Sequence, residues 1–192
     1  AFWALKVRGV AQVPEGGGLI FCPNHESYLD GLWVLCALSG KVRARTYIVG
    51  KTELFRNPLL RFFLARANVI AVEREGDVRQ TLAAAEAALR EGKNLLIFPE
   101  GTRTRTGLMG RFRSGVGELL LRTGTRAVPA RVRGGFSIWP SGKLPRFLFA
   151  RRFKAGVSFG QPVSFSELAA GLKAFTPERA VAELRKRVEA LA

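Results

Sequence analysis

Apolar positions along the chain fall into short runs separated by polar, glycine-rich corners, and the period of the runs alternates between strand-like and helix-like. "GGGLIFCPN" (16–24) is a continuous apolar run bounded by glycines and a Pro-Asn pair, which predicts a buried strand. "LDGLWVLCALSG" (29–40) predicts a buried helix closed by Gly40, and "ARTYIVG" (44–50) a second strand. "NPLLRFFLAR" (57–66), with Pro58 in its first turn, predicts a short helix, and "NVIAV" (68–72) a third strand. "DVRQTLAAAEAALREG" (77–92) gives the clearest helical signal. Val78, Leu82, Ala85 and Leu89 form one stripe, Asp77 and Gln80 suit a capping box, and Gly92 ends the pattern. Then come a strand running into a turn (94–101), a helix (115–124) and two more strands (126–134 and 154–160). "TPERAVAELRKRVEALA" (176–192) closes the chain as an amphipathic helix, with Thr176 as cap and Pro177 at its first position.

Alternating strands and helices predict an α/β fold: a single domain with a mostly parallel central sheet flanked by helices. The length of 192 residues suits one domain over 1–192. The opening "AFWALKVRGV" reads as if entered mid-protein, so a processed chain or a domain cut from a longer one is expected. In such folds, sites sit where strands end. Two polar clusters fall there, Asn24-His25 and Glu100-Gly101.

His25 is the single histidine, and Asp30, five residues on, is one of only two aspartates. Five residues on one helix turn through ~500°, so the two would not share a helical face. A histidine in the loop entering the helix can instead fold back over its first turn and meet the carboxylate. A neutral imidazole then accepts a proton from a hydroxyl, and the carboxylate fixes its tautomer. Alone, this spacing more often marks a strand-end histidine beside a helix-capping aspartate; the second cluster changes the balance. No G-x-S-x-G is present, so direct attack by a substrate hydroxyl is the more natural chemistry.

In "IFPEGTRTRTG" (97–107), Pro99 stops the strand, and Gly101 and Thr102 let the chain turn with its N–H groups pointing into one space. Arg103 and Arg105 add fixed charge, so the turn suits a phosphate. Glu100 is placed to orient an arginine or a substrate hydroxyl. Charge supports an anionic partner: 31 basic against 15 acidic residues give +16, spread along the chain. The sequence carries no RNP, helix-turn-helix or zinc pattern, which ranks nucleic acid far lower. Cys22 and Cys36 stand apart in apolar surroundings and read as reduced, partly buried thiols, as in a cytoplasmic protein. No uncharged apolar run reaches the ~18–20 residues that span a bilayer.

The two clusters resemble the first and third motifs of the PlsC-type glycerolipid acyltransferases: "NHESYLD" (24–30) is similar to NHxxxxD, and "FPEGTRTRTG" (98–107) to FPEGTRSR-G. "KTELFRNPL" and "IAVERE" look like the second motif, with Lys51, Glu53, Pro58 and Arg74 matching. "FRSGVGEL" (112–119) and "AVPARVRG" (127–134) resemble the remaining signatures, the former with Arg113 in place of lysine. Arg61 and Ala67-Asn68 stand where the family usually has glycines.

The resemblance implies a glycerol-3-phosphate acyltransferase-like fold. It also implies transfer of a fatty acyl group from acyl-CoA or acyl-carrier protein to a lysophospholipid, most commonly 1-acyl-sn-glycerol 3-phosphate, giving phosphatidic acid. Lysophosphatidylethanolamine or glycerol 3-phosphate are alternative acceptors. His25 and Asp30 would be catalytic, and Gly101, Thr102 and Arg103, with Glu100, Lys51 and Arg74, would bind substrate. No metal or cofactor is implied. A peripheral enzyme on the cytoplasmic face of an anionic membrane is expected, anchored partly through "GGFSIWPSGKLPRFLF" (134–149), with its Trp139 and Phe147.

Overall fold

The computed structural model describes residues 5–51, 68–72, 78–146, 154–171 and 175–191. Seven strands are β1 (Lys6–Arg8), β2 (Leu19–Pro23), β3 (Thr46–Lys51), β4 (Asn68–Val72), β5 (Asn94–Leu96), β6 (Arg126–Arg133) and β7 (Gly156–Phe159). They form one sheet in the order β1-β7-β6-β2-β5-β3-β4. All neighbours run parallel except β6 and β7. The described helices are α1 (Asp30–Ala37), α2 (Gly40–Ala44), α3 (Val78–Arg90), α4 (Gly115–Thr123), α5 (Gly135–Ile138), α6 (Phe165–Ala169) and α7 (Pro177–Ala190). The expected single α/β domain with a mostly parallel sheet is what is found.

Continuous apolar strands bury both faces, as a parallel sheet requires. On β2, Leu19 and Phe21 enter one core while Ile20 and Cys22 enter the other. The first core is closed by Trp33, Val34 and Leu35 of α1 with Ile138 and Trp139. The second is closed by α3, α4 and α7, the last giving Ala180, Val181, Leu184 and Val188 at helical spacing.

Several boundaries differ from expectation for local reasons. The run 29–40 does not form one helix: Leu38 turns extended, and Ser39 caps α2, its hydroxyl accepting the Val42 N–H at 3.4 Å. Gly40 therefore opens a helix rather than closing one. β5 stops at Leu96, although the Ile97 N–H still reaches Phe21 O at 3.0 Å. β1, with no apolar period, is an exposed edge strand, and α6 is a single capped turn. Gly92, at φ 75°, ends α3 as expected, and Thr176 caps α7. Cys22 is buried, but Cys36 is exposed rather than partly buried. The helix expected over 57–66, together with Asp77, Arg74 and Phe147, lies outside the described residues.

Candidate active site

The central strands β5, β2 and β6 all run in one direction, so the loops that leave them open on one edge of the sheet. Asn24 carries the pairing of β2 one residue further. Its Nδ2 donates to Val132 O at 3.0 Å, and its Oδ1 accepts from the Val132 N–H at 2.7 Å. The chain then turns over the start of α1, whose first residue is Asp30. This carboxylate is fully closed to solvent and receives four donors. Oδ2 accepts from the N–H groups of Glu26 (2.6 Å) and Ser27 (2.8 Å) and from His25 Nδ1 (2.9 Å), and Oδ1 accepts from Ser27 Oγ (2.6 Å).

The helix N-terminus also favours an anion there. With Asp30 accepting at Nδ1, the proton sits on that nitrogen and the Nε2 lone pair is left for chemistry. The ring is fixed in plane by Phe98, stacked at 3.8 Å and 18°. The His25 side chain keeps 19% of its surface exposed beside its closed partner, so the imidazole, and not the carboxylate, is the group a substrate can reach.

Glu100, one turn beyond β5, meets the same loop. Its Oε1 accepts the His25 N–H at 2.8 Å, and its Oε2 accepts the Gly110 N–H at 2.8 Å. Thr104 N–H in turn donates to His25 O at 2.9 Å. The His25 backbone is thus held on both sides by the loop after β5. Glu100 is buried, with both oxygens on backbone donors, and ties the two loops together rather than orienting an arginine.

Gly101 takes φ 69°, and a Cβ there would stand 2.8 Å from Arg113 Nε, so the Arg113 side chain lies over this glycine. Thr102 is exposed, and Arg103 lies across the ring of Tyr28, in the loop before α1. The structure therefore gathers His25, Asp30, Glu100, Gly101, Thr102 and Arg103 at one edge. The backbone of Lys51 ends β3 two strands from β2, and Arg74 is outside the described residues. No cluster of three or more metal-ligating side chains occurs among the described residues.

Three residues of the site were not anticipated. Ser27 braces Asp30. Gly135, the first residue of α5, presses on the same carboxylate: a Cβ on it would stand 2.6 Å from Asp30 Oδ1 and 2.7 Å from Ser27 Oγ. Glu26 is buried beside Asp30, with Oε2 accepting the Phe136 N–H at 3.2 Å and Oε1 the Asn24 Nδ2–H at 3.3 Å. Burial, reinforced by the Asp30 charge, pushes its carboxyl up to about 7, against the opposing pull of the Phe136 N–H and Arg131. Cys22 is pushed up by burial alone, which keeps it a thiol.

Residues 4–133 match the acyltransferase family. The chain is 29% identical to a 1-acyl-sn-glycerol-3-phosphate acyltransferase of Pseudomonas aeruginosa over 96% of its own length and 66% of that protein. It is 26% identical to a chloroplastic 1-acyl-sn-glycerol-3-phosphate acyltransferase of Arabidopsis thaliana, over 73% of this chain and 39% of that one. The chain thus spans between about two fifths and two thirds of the length of these relatives. The crystal structure of the 1-acyl-sn-glycerophosphate acyltransferase PlsC from Thermotoga maritima superposes with a TM-score of 0.72, covering 98% of this chain and 70% of that one; at 20% identity, this likeness shows the fold.

Two expectations follow from the packing around Asp30. Gly135→Ala is expected to cost about 1–3 kcal/mol of stability by overpacking and to shift the NMR signal of the His25 ring, unambiguous because the chain has one histidine. Unchanged unfolding and an unmoved signal would show that the contact is slack. Glu26 governs a pH dependence. Its folded carboxyl titrates above the unfolded one, so the unfolded chain gives up this proton first as pH rises from 4.5 to about 7. Folding therefore weakens across that window and levels off above it. The stability of Glu26→Gln relative to the parent is expected to rise by roughly 2–3 kcal/mol from pH 4.5 to 8, measured by denaturant unfolding; a flat difference would exclude this role.

Proposed function

The chain belongs to the acyltransferase family, and from that premise we propose that it moves a fatty acyl group from a thioester to the free hydroxyl of a lysophospholipid. The observation that carries this reading is the His25 Nδ1–Asp30 contact of 2.9 Å, made by a carboxylate with no solvent access. Nε2 takes the proton of the acceptor hydroxyl as its oxygen attacks the thioester carbonyl. The tetrahedral oxyanion collapses with cleavage of the C–S bond, and the departing thiolate takes the proton back from the imidazolium. Asp30 steadies the imidazolium and never leaves its donors. Holding hydroxyl, thioester and base in line supplies much of the rate.

The acceptor is 1-acyl-sn-glycerol 3-phosphate, the substrate in the names of the relatives above, and the product is phosphatidic acid. Its phosphate sits at Gly101, Thr102 and Arg103, with Lys51 and Arg74 as further cations. Acyl-CoA or acyl-carrier protein is the donor; both are acidic and suit a chain of charge +16.

The enzyme works at the cytoplasmic face of an anionic membrane as a peripheral protein. No helix among the described residues is long and apolar enough to cross a bilayer. Trp139 is not the anchor anticipated from the sequence, since it is buried, with Nε1 donating to Lys143 O at 3.1 Å. The two most exposed large apolar side chains among the described residues are Leu144 (86%) and Leu108 (76%), set between Lys143 and Arg146 and between Arg105 and Arg111. Cations around an apolar tip suit an interface.

Thiol release with both donors, against lysophosphatidate, lysophosphatidylethanolamine and glycerol 3-phosphate, tests the reaction and ranks the acceptors. His25→Ala is expected to lose ~10²–10⁴-fold in turnover while unfolding like the parent, and Asp30→Asn to lower turnover with little change in acceptor KM. Turnover of His25→Ala within tenfold of the parent would end the general-base assignment. In vesicle co-sedimentation, binding should require anionic lipid and weaken with salt, since screening acts over ~8 Å at physiological ionic strength. Leu108→Ser with Leu144→Ser should remove the part that survives high salt. Binding indifferent to lipid charge and salt would rule out a charge-led attachment.

A further inference from the structure

Tyr28 lies between His25 and Asp30 in sequence, yet the mechanism above gives it no task. Its ring lies against the Arg103 guanidinium, whose Cζ stands 3.4 Å from the ring centroid. The same ring also meets Trp139, at 4.9 Å between centroids and tilted by 48°. Trp139 is itself immobilised, buried and hydrogen-bonded to Lys143 O. Three segments that leave β2, β5 and α5 thus meet at Tyr28, whose phenol ring touches both an anchored indole and a guanidinium.

The state of Arg103 makes this contact informative. Its Nη1 is covered and has no hydrogen-bond partner among the described residues. No carboxylate among those residues forms an ion pair with it. A covered, unpaired cationic donor is costly. The face of a tyrosine ring is the contact that offsets this, through attraction of the cation to the π-system. Glu100, the nearest acidic residue in sequence, is committed to backbone N–H groups and does not quench the charge. A guanidinium held against a ring is restricted in orientation before an oxyanion arrives at its remaining N–H groups. An arginine on a solvated turn would instead have to give up its rotamer freedom on binding.

We propose that Tyr28 is a positioning residue for the acceptor: its ring, itself in contact with Trp139, holds the Arg103 guanidinium in the orientation in which it meets a phosphomonoester. This inference rests on the reading of Arg103 as a phosphate ligand. It gives the loop between β2 and α1 two outputs, the base at His25 and, three residues on, the bed of the anion site. Tyr28 touches no reacting atom and acts only through Arg103.

The contact has a signature independent of turnover. In NMR spectra of the parent, the Arg103 side-chain protons, identified by their loss in Arg103→Lys, should be shifted upfield by the ring current. The shift should persist in Tyr28→Phe and vanish in Tyr28→Met, which keeps apolar bulk and removes the π face. In the thiol-release assay, Tyr28→Met should raise the KM for lysophosphatidate about 5- to 30-fold, with kcat and donor KM within threefold, and Tyr28→Phe should stay within twofold throughout. On an Arg103→Ala background, Tyr28→Met should add nothing further. Absence of the ring-current shift in the parent overturns the proposal, as does a Tyr28→Met effect that falls on kcat or survives intact without Arg103. A parent that shows the shift but acylates no phosphorylated acceptor overturns the functional reading itself. A parent that turns over and is matched by Tyr28→Met overturns the role of Tyr28 alone.

Discussion

A carboxylate with no access to water must have its charge met by donors, or the fold pays several kcal/mol to keep it. Asp30 is that carboxylate, and the architecture around it is organised to supply those donors. Two are backbone N–H groups, from Glu26 and Ser27, and they point inward only because the chain after β2 turns tightly over the start of α1. The third is a hydroxyl that belongs to the same turn. The fourth is the histidine, which enters a site already three-quarters built. His25 is therefore oriented by a carboxylate whose own position is fixed without it. Gly135 closes the remaining side, where even a Cβ would force the Asp30 carboxylate or the Ser27 hydroxyl to shift.

Sheet topology brings the second half of the site to the first. Because β2 and β5 are parallel neighbours, the loops that leave them emerge side by side, although 75 residues separate His25 from Glu100. Glu100 uses both oxygens to turn that proximity into a fixed joint. β6, the other parallel neighbour of β2, contributes Val132 as the partner of Asn24 and then Gly135. Three strand ends thus each deliver one component: the histidine, the turn that carries Gly101 and Arg103, and the lid over the carboxylate.

What the sequence revealed follows the range of the interactions involved. The His25–Asp30 pair was legible because it closes within one strand-to-helix corner, and the corner is written in the apolar run before it and the helix after it. Gly101 was legible because a tight turn with positive φ leaves few other residues possible. Glu100 was located but misread, since its partners are the N–H groups of residues 25 and 110, and a backbone amide looks the same in every sequence. Trp139 was misplaced because an aromatic residue among glycines and cations has the composition of a membrane anchor, and only the fold supplies Tyr28 and Lys143 O as its partners. Glu26 gave no signal at all: a glutamate in a polar loop reads as solvated until the Phe136 N–H comes over it from 110 residues away.

The double attachment of the His25 backbone, its N–H to Glu100 and its C=O to the Thr104 N–H, has a geometric consequence. Hydrogen bonds to the backbone on both sides of one residue leave little room for sliding or hinging between the two loops. With the phosphate held at Gly101, Thr102 and Arg103 as proposed, the span from imidazole to that turn would behave as the jaw of a fixed gauge. Such a jaw would sort phosphorylated alcohols by the number of bonds between their phosphorus and their nucleophilic oxygen before the remainder of their structure mattered. A gauge of this kind tolerates great variety in whatever hangs outside the jaw, and very little in the part that is measured.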